Sequence, residues 1–126
     1  MGKPNRNAYT NKLKWWYDLR RYTARILARS AVPATPVNLI LPFVTGGNTA
    51  GNILYANVGA WASSAGIITS YAYQWRSNSV DIPLATGSSL ATVDGVDEGK
   101  VITVRVTATN SSGATSATSL PLPALT

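Results

Sequence analysis

Residues 100–110 read Lys-Val-Ile-Thr-Val-Arg-Val-Thr-Ala-Thr-Asn. Ile102, Val104, Val106 and Ala108 alternate with Thr103, Arg105, Thr107 and Thr109. A period of two puts one set on each face of a β-strand, apolar inward and polar outward. The neighbours extend the pattern. Asn110-Ser111-Ser112-Gly113 is turn chemistry leading into a last strand over residues 114–122. Upstream, residues 69–76 form a strand in which Tyr71, Tyr73 and Trp75 share a face, and Ser77-Asn78-Ser79 turns tightly into residues 80–84. Residues 89–93 make a short strand. Residues 37–44 and 52–58 are the first two strands, with Pro42 marking an edge or a bend. A Gly/Ala/Ser-rich loop containing Trp61 follows over residues 59–66. Seven short strands at regular spacing predict a mainly β, two-sheet antiparallel sandwich. Its expected core is Leu54, Trp61, Tyr73, Trp75, Ile102, Val104 and Val106.

The charge lies elsewhere. Residues 1–30 hold eight Lys and Arg against Asp18 alone, a net +7, while residues 31–126 hold three cations against four acids, a net −1. The pI near 10 therefore describes one end of the chain. At 126 residues there is room for one domain and an appendage. The chain has no Cys and no His. A β body without Cys does not depend on an oxidising compartment. The lack of His removes the commonest general base and metal ligand. No apolar run reaches the ~18–20 residues that span a bilayer. Lys14, Asp18, Arg20, Arg21 and Arg25 interrupt every candidate signal-peptide stretch, so no export signal is expected. Arg6 stands where a myristoylation motif wants Ser or Thr.

Residues 11–29 switch to helical spacing. Trp15, Leu19, Tyr22 and Ile26 recur on one face, widened by Leu13, Trp16 and Leu27. Lys14, Asp18, Arg21, Arg25 and Arg29 form the opposite stripe. An isolated helix of this length is marginal in water, so its aromatic face must be buried on its own domain, on another protein, or on an anionic membrane surface. Residues 31–36, with Pro33 and Pro36, read as a semi-rigid spacer. Such a spacer favours docking of residues 1–30 into another protein. The docking set is Trp15, Trp16, Leu19, Tyr22 and Ile26 with Lys14, Arg20, Arg21 and Arg25. Phosphate binding suits the charge, but the arm has no Gly/Arg repeats or fold context for specific nucleic-acid readout.

The run Tyr71-Ala72-Tyr73-Gln74-Trp75-Arg76-Ser77-Asn78, then Ile82-Pro83, Ala85-Thr86-Gly87-Ser88-Ser89, and Asp97-Glu98-Gly99 leading into residues 100–110 and Gly113, resembles the immunoglobulin-like domains of tailed-bacteriophage virion proteins and bacterial surface proteins. Gly59-Ala60-Trp61 is similar to the Gly-x-Trp that precedes the Tyr-x-Tyr-Gln-Trp strand in that family. The resemblance covers residues 37–122 and does not reach the arm. It implies an immunoglobulin-like sandwich with Trp75 between the sheets. The tyrosine-corner position holds Val101 or Ile102, a departure that suits the disulfide-free microbial versions. It further implies a virion accessory protein, assembled in host cytoplasm, with residues 1–30 on a capsid or tail lattice. A tail or fibre component, or a module gripping a host-surface glycan or protein, is the alternative.

Catalytic constellations are missing. Without His or Cys there is no ordinary triad and no thiol nucleophile. Asp97 and Glu98 are sequence neighbours whose side chains point apart on an extended chain. With Asp94 they offer too few spaced oxygens for a dedicated calcium loop. Gly46-Gly47-Asn48 and Gly95 read as turns, and Asn110-Ser111-Ser112 as a turn that matches a glycosylation sequon by chance. No enzymatic activity, cofactor or metal is expected.

Overall fold

A computed structural model describes residues 34–126. The amphipathic helix expected over residues 11–29 and its docking set, from Lys14 to Ile26, lie outside the described residues. The described chain is mainly β, with nine strands and no helix: β1 (Val37–Ile40), β2 (Phe43–Thr45), β3 (Ile53–Asn57), β4 (Ala60–Ala62), β5 (Ser70–Ser77), β6 (Val80–Asp81), β7 (Ser89–Ala91), β8 (Ile102–Asn110) and β9 (Gly113–Thr118). They form three antiparallel sheets, ordered β1-β4, β2-β3-β7 and β6-β5-β8-β9.

β8 behaves as its period dictates. Every even-numbered residue from Ile102 to Asn110 is buried and every odd one is half-exposed. It pairs with β5 along that strand's whole length and with β9 on its other side. Its inward side chains meet Trp75 from β5, and Val44 and Leu54 from the three-stranded sheet, in a single core cluster with Leu125. Burying an indole removes about 200 Å² from water, worth roughly 5 kcal/mol. The indole Nε1 of the fully buried Trp75 donates to the Gly87 carbonyl at 2.9 Å, so the burial leaves no polar atom unpaired.

Two expected elements are corrected. Residues 37–44 are not one strand. Leu41-Pro42 divides them, because Pro42 has no N–H for the ladder and is itself fully buried. Residues 59–66 are not all loop. Ala60–Ala62 is β4, formed by pairing with β1 rather than by local preference. The ladder logic is continuous nonetheless. Ile40 pairs with Ala60 and Phe43 with Asn57, so the register carries across the break. β1-β4 is the same long hairpin as β2-β3, interrupted at Pro42 and Gly59. A one-residue irregularity follows between Asn38 and Ile40, where the Asn38 amide donates to the carbonyls of Ile40 and Ala60 at 2.8 and 3.2 Å.

Turns follow the chemistry of their residues. Asn78 and Ser79 sit at φ 48° and 68°, the paired positive values of a primed two-residue hairpin. Asn78 also accepts the Val101 N–H at 2.9 Å, fixing the start of β8. Beyond β6, Ile82 and Ala85 both bond to Trp75 across the ladder, while Pro83-Leu84 bulge outward. The Gln74 amide nitrogen closes that excursion, donating to the carbonyls of Trp75 and Ile82. Leu84, at φ 63°, is almost wholly exposed.

Residues 34–36, read from sequence as the end of a spacer, are fastened to the domain. Pro36 is fully buried. Asn110, 4% exposed, donates to Ala34 O at 2.8 Å and Ser63 Oγ at 2.9 Å, and accepts from the Ser112 N–H. The chain therefore enters the domain beside the β8–β9 turn. At the opposite end, Leu125 pairs with Gly99 and Lys100, and Thr126 with Asn48 and Ala50.

Candidate interaction surface

The alternation that buries Val44 and Leu54 turns their strand neighbours outward. Phe43, Ile53 and Tyr55 are 45%, 50% and 53% exposed. Cross-strand register brings them together: Thr45 faces Tyr55, Tyr55 faces Ser89, Ile53 faces Ala91 and Phe43 faces Asn57. This outer face of the β2-β3-β7 sheet is uncharged and sets Phe43, Ile53 and Tyr55 among Thr45, Asn57, Ser89 and Ala91. In the separate β1-β4 sheet, Leu39 and Ile40 are more than half exposed, and Leu41 beside the break is also exposed. Residues 30–75 contain no Asp, Glu, Lys or Arg.

The charges of the described residues sit elsewhere. On the outer face of the four-stranded sheet, Asp81 bridges Arg76 at 2.8 Å and Arg105 at 3.1 Å, and Arg76 also donates to the Ser79 carbonyl. These groups are solvent-accessible, so each pair contributes at most about 1 kcal/mol. The second group lies in the loop between β7 and β8. Asp97 accepts the Val93 N–H at 2.7 Å and pairs with Lys100 at 3.5 Å. It closes its own loop. Among the described residues, no three His, Cys, Asp or Glu side chains gather closely enough to hold a metal ion, so Asp94, Asp97 and Glu98 do not converge. None of the described residues forms a helix long and apolar enough to cross a membrane.

The residues expected in the core divide into two groups. Leu54, Trp75, Ile102, Val104 and Val106 are fully buried in the central cluster, while Trp61 and Tyr73 are half-buried and packed against it. The Trp61 indole lies over the β3–β4 connection, with Nε1 donating to Val58 O at 2.7 Å, which leaves it a packing role rather than a flat open platform. The outward face of Phe43, Ile53 and Tyr55 was not anticipated. Its one signal in the sequence is the charge-free run itself. Comparison with known protein families, curated proteins and solved structures finds no match to this chain.

Proposed function

We propose that this protein is a non-enzymatic virion accessory protein, anchored to a capsid lattice by its basic aromatic residues 1–30 and displaying an immunoglobulin-like domain. The observation that carries the reading is the division of charge: +7 in residues 1–30 against −1 in residues 31–126. A basic segment speeds encounter with an acidic lattice, and its aromatic residues supply burial once docked. Ala34 is held beside the β8–β9 turn, and within the domain Gly99 and Lys100 pair with Leu125 at the other end of β8. Strand order supports the domain class. The orders β2-β3-β7 and β6-β5-β8-β9, two of the three sheets, are compatible with an immunoglobulin-like sandwich, and the fully buried Trp75 suits the tryptophan such a fold packs between its sheets.

The test is replacement of the gene in its host virus by a version lacking residues 1–30, followed by protein quantification on purified particles. The expected result is empty particle sites and a soluble, folded domain in the lysate. Occupancy equal to wild type would overturn the anchor.

A further inference from the structure

We infer that Asp94-Gly95, in the loop between β7 and β8, is a site of spontaneous backbone modification at which Asp94 becomes isoaspartate. The Gly95 nitrogen bonds to Asp94 Cγ, and its proton leaves with a carboxyl oxygen as water. Water then opens the five-membered ring at the main-chain carbonyl, breaking that carbonyl's bond to the Gly95 nitrogen and returning the proton. Composition is unchanged. The backbone now runs through Cβ and Cγ and is one carbon longer, and residue 94 carries a free α-carboxylate. The reaction is intramolecular and needs only water.

Sequence and structure each select this pair. It is the one place in the chain where Asp or Asn precedes Gly. Glycine puts no side chain in the path of its own nitrogen and lets the backbone rotate as ring closure requires. Both residues are exposed, and nothing lies within 4 Å of a Cβ built on Gly95. Asp94 neighbours Gly51, another residue without a side chain, where an added Cβ would stand 3.6 Å from Asp94 Cβ. Among the described residues, no ion pair or hydrogen bond engages the Asp94 carboxyl, and the Gly95 N–H has no backbone acceptor.

The comparable residues of the domain are held. Asp81 is clamped between Arg76 and Arg105, and the N–H of the following, β-branched Ile82 is bonded to Trp75 O. Asp97 accepts from the Val93 N–H and pairs with Lys100. Asn78 and Asn110, each followed by Ser, are fixed by side-chain bonds to Val101 and to Ala34, Ser63 and Ser112.

The change has a structural consequence. Val93 O accepts the N–H groups of Val96 and Asp97 at 3.1 and 2.9 Å, and the Val93 N–H donates to Asp97. A backbone one carbon longer between Val93 and Val96 cannot keep all three bonds. The loop ends at Gly99, whose N–H holds Leu125 O at 2.7 Å, so loosening it slackens the hold on the buried Leu125.

The test is ageing of the full chain for weeks in warm, near-neutral buffer made with heavy-oxygen water. Ring hydrolysis writes one heavy oxygen into residue 94 whichever carbonyl opens. Trypsin cuts after Arg76 and Lys100, so residues 77–100 carry Asp81, Asp94 and Asp97 on one peptide, and electron-transfer fragmentation distinguishes isoaspartate from aspartate at each. On that peptide, label and isoaspartate are expected at residue 94 alone, at a rate of the same order as in a synthetic peptide of residues 90–99. Asp94→Glu, whose ring would need six members, and Gly95→Ala, whose methyl hinders the attack, should lose most of the label while circular dichroism shows them folded. The aged wild type should melt lower than the fresh chain, and aged Asp94→Glu should not. A folded chain that stays unlabelled at residue 94 while the synthetic peptide labels would overturn the inference. So would equal label at Asp81 or Asp97, or undiminished label in Gly95→Ala. Isoaspartate with an unshifted melt would overturn the link to Leu125.

Discussion

At Gly59 a single hydrogen decides whether the long hairpin can bend. The residue sits at φ +75°, and a Cβ there would fall 2.7 Å from Leu41 O and nearer still to Ile40 O. Backbone cannot move aside as a side chain can. Gly59→Ala therefore combines left-handed strain of about 1–2 kcal/mol with a steric clash, and a loss above about 2 kcal/mol is expected. Gly95 provides the control. Its φ is +70°, with nothing within 4 Å of a Cβ, so Gly95→Ala should cost only the left-handed strain, about 1 kcal/mol. Paired urea titrations measure the difference, and equal losses would mean that the close approach at Gly59 carries no weight. The Gly59-Ala60-Trp61 motif acquires a mechanism in this way. Glycine permits the approach of β1, and the tryptophan then folds over Val58 O.

At the scale of elements, legibility follows the source of order. β8 was readable because its period is intrinsic to its own residues and both its neighbours are full strands. The break at Pro42 was readable as a bend, but not the partner each half would take. β4 was not readable. Ala-Trp-Ala between Gly and Ser has little strand preference, and only pairing with β1 makes it one. The outward face of β2 and β3 escaped for a related reason, since alternation assigns residues to faces without saying that the outer face must be polar. β9 adds a case in which a side chain replaces backbone. The Val104 N–H donates to Ser119 Oγ at 3.0 Å, and Ser119 is buried. Further on, Pro121 has no N–H to give, and the Leu122 N–H reaches Ile102 O instead. Ser119→Ala strands a buried donor in the central ladder, with an expected cost of about 1–3 kcal/mol. A thermal melt lowered by several degrees would be the sign. An unchanged melt would show that water or a shifted backbone takes the bond.

Over the whole molecule, charge and apolar surface are sorted into separate regions. The +7 of residues 1–30 outweighs everything else, so the full chain should bind a cation exchanger at neutral pH. A chain of residues 31–126, at −1, should flow through. Retention of the shorter chain under the same buffer would mean that the two arginines around Asp81 form a stronger basic patch than their ion pairs allow. The body holds both arginines against the same carboxylate, which leaves little free positive field. The net positive charge of residues 1–30 and the exposed Phe43, Ile53 and Tyr55 thus lie in different parts of one chain, and can be altered independently.

The burial of Asn110 carries a practical corollary for production of the protein. Asn110-Ser111-Ser112 is a formal acceptor for N-linked sugar, and in a eukaryotic secretory pathway the oligosaccharide is transferred before folding is complete. A sugar on that amide would displace the bonds to Ala34 and Ser63 and prop open the end of the domain where the chain enters. Secretory hosts should therefore yield a glycosylated, poorly folded fraction that bacterial cytoplasm does not. Ser112→Ala is the remedy the geometry offers, since Asn110 meets residue 112 through its backbone N–H, which alanine keeps.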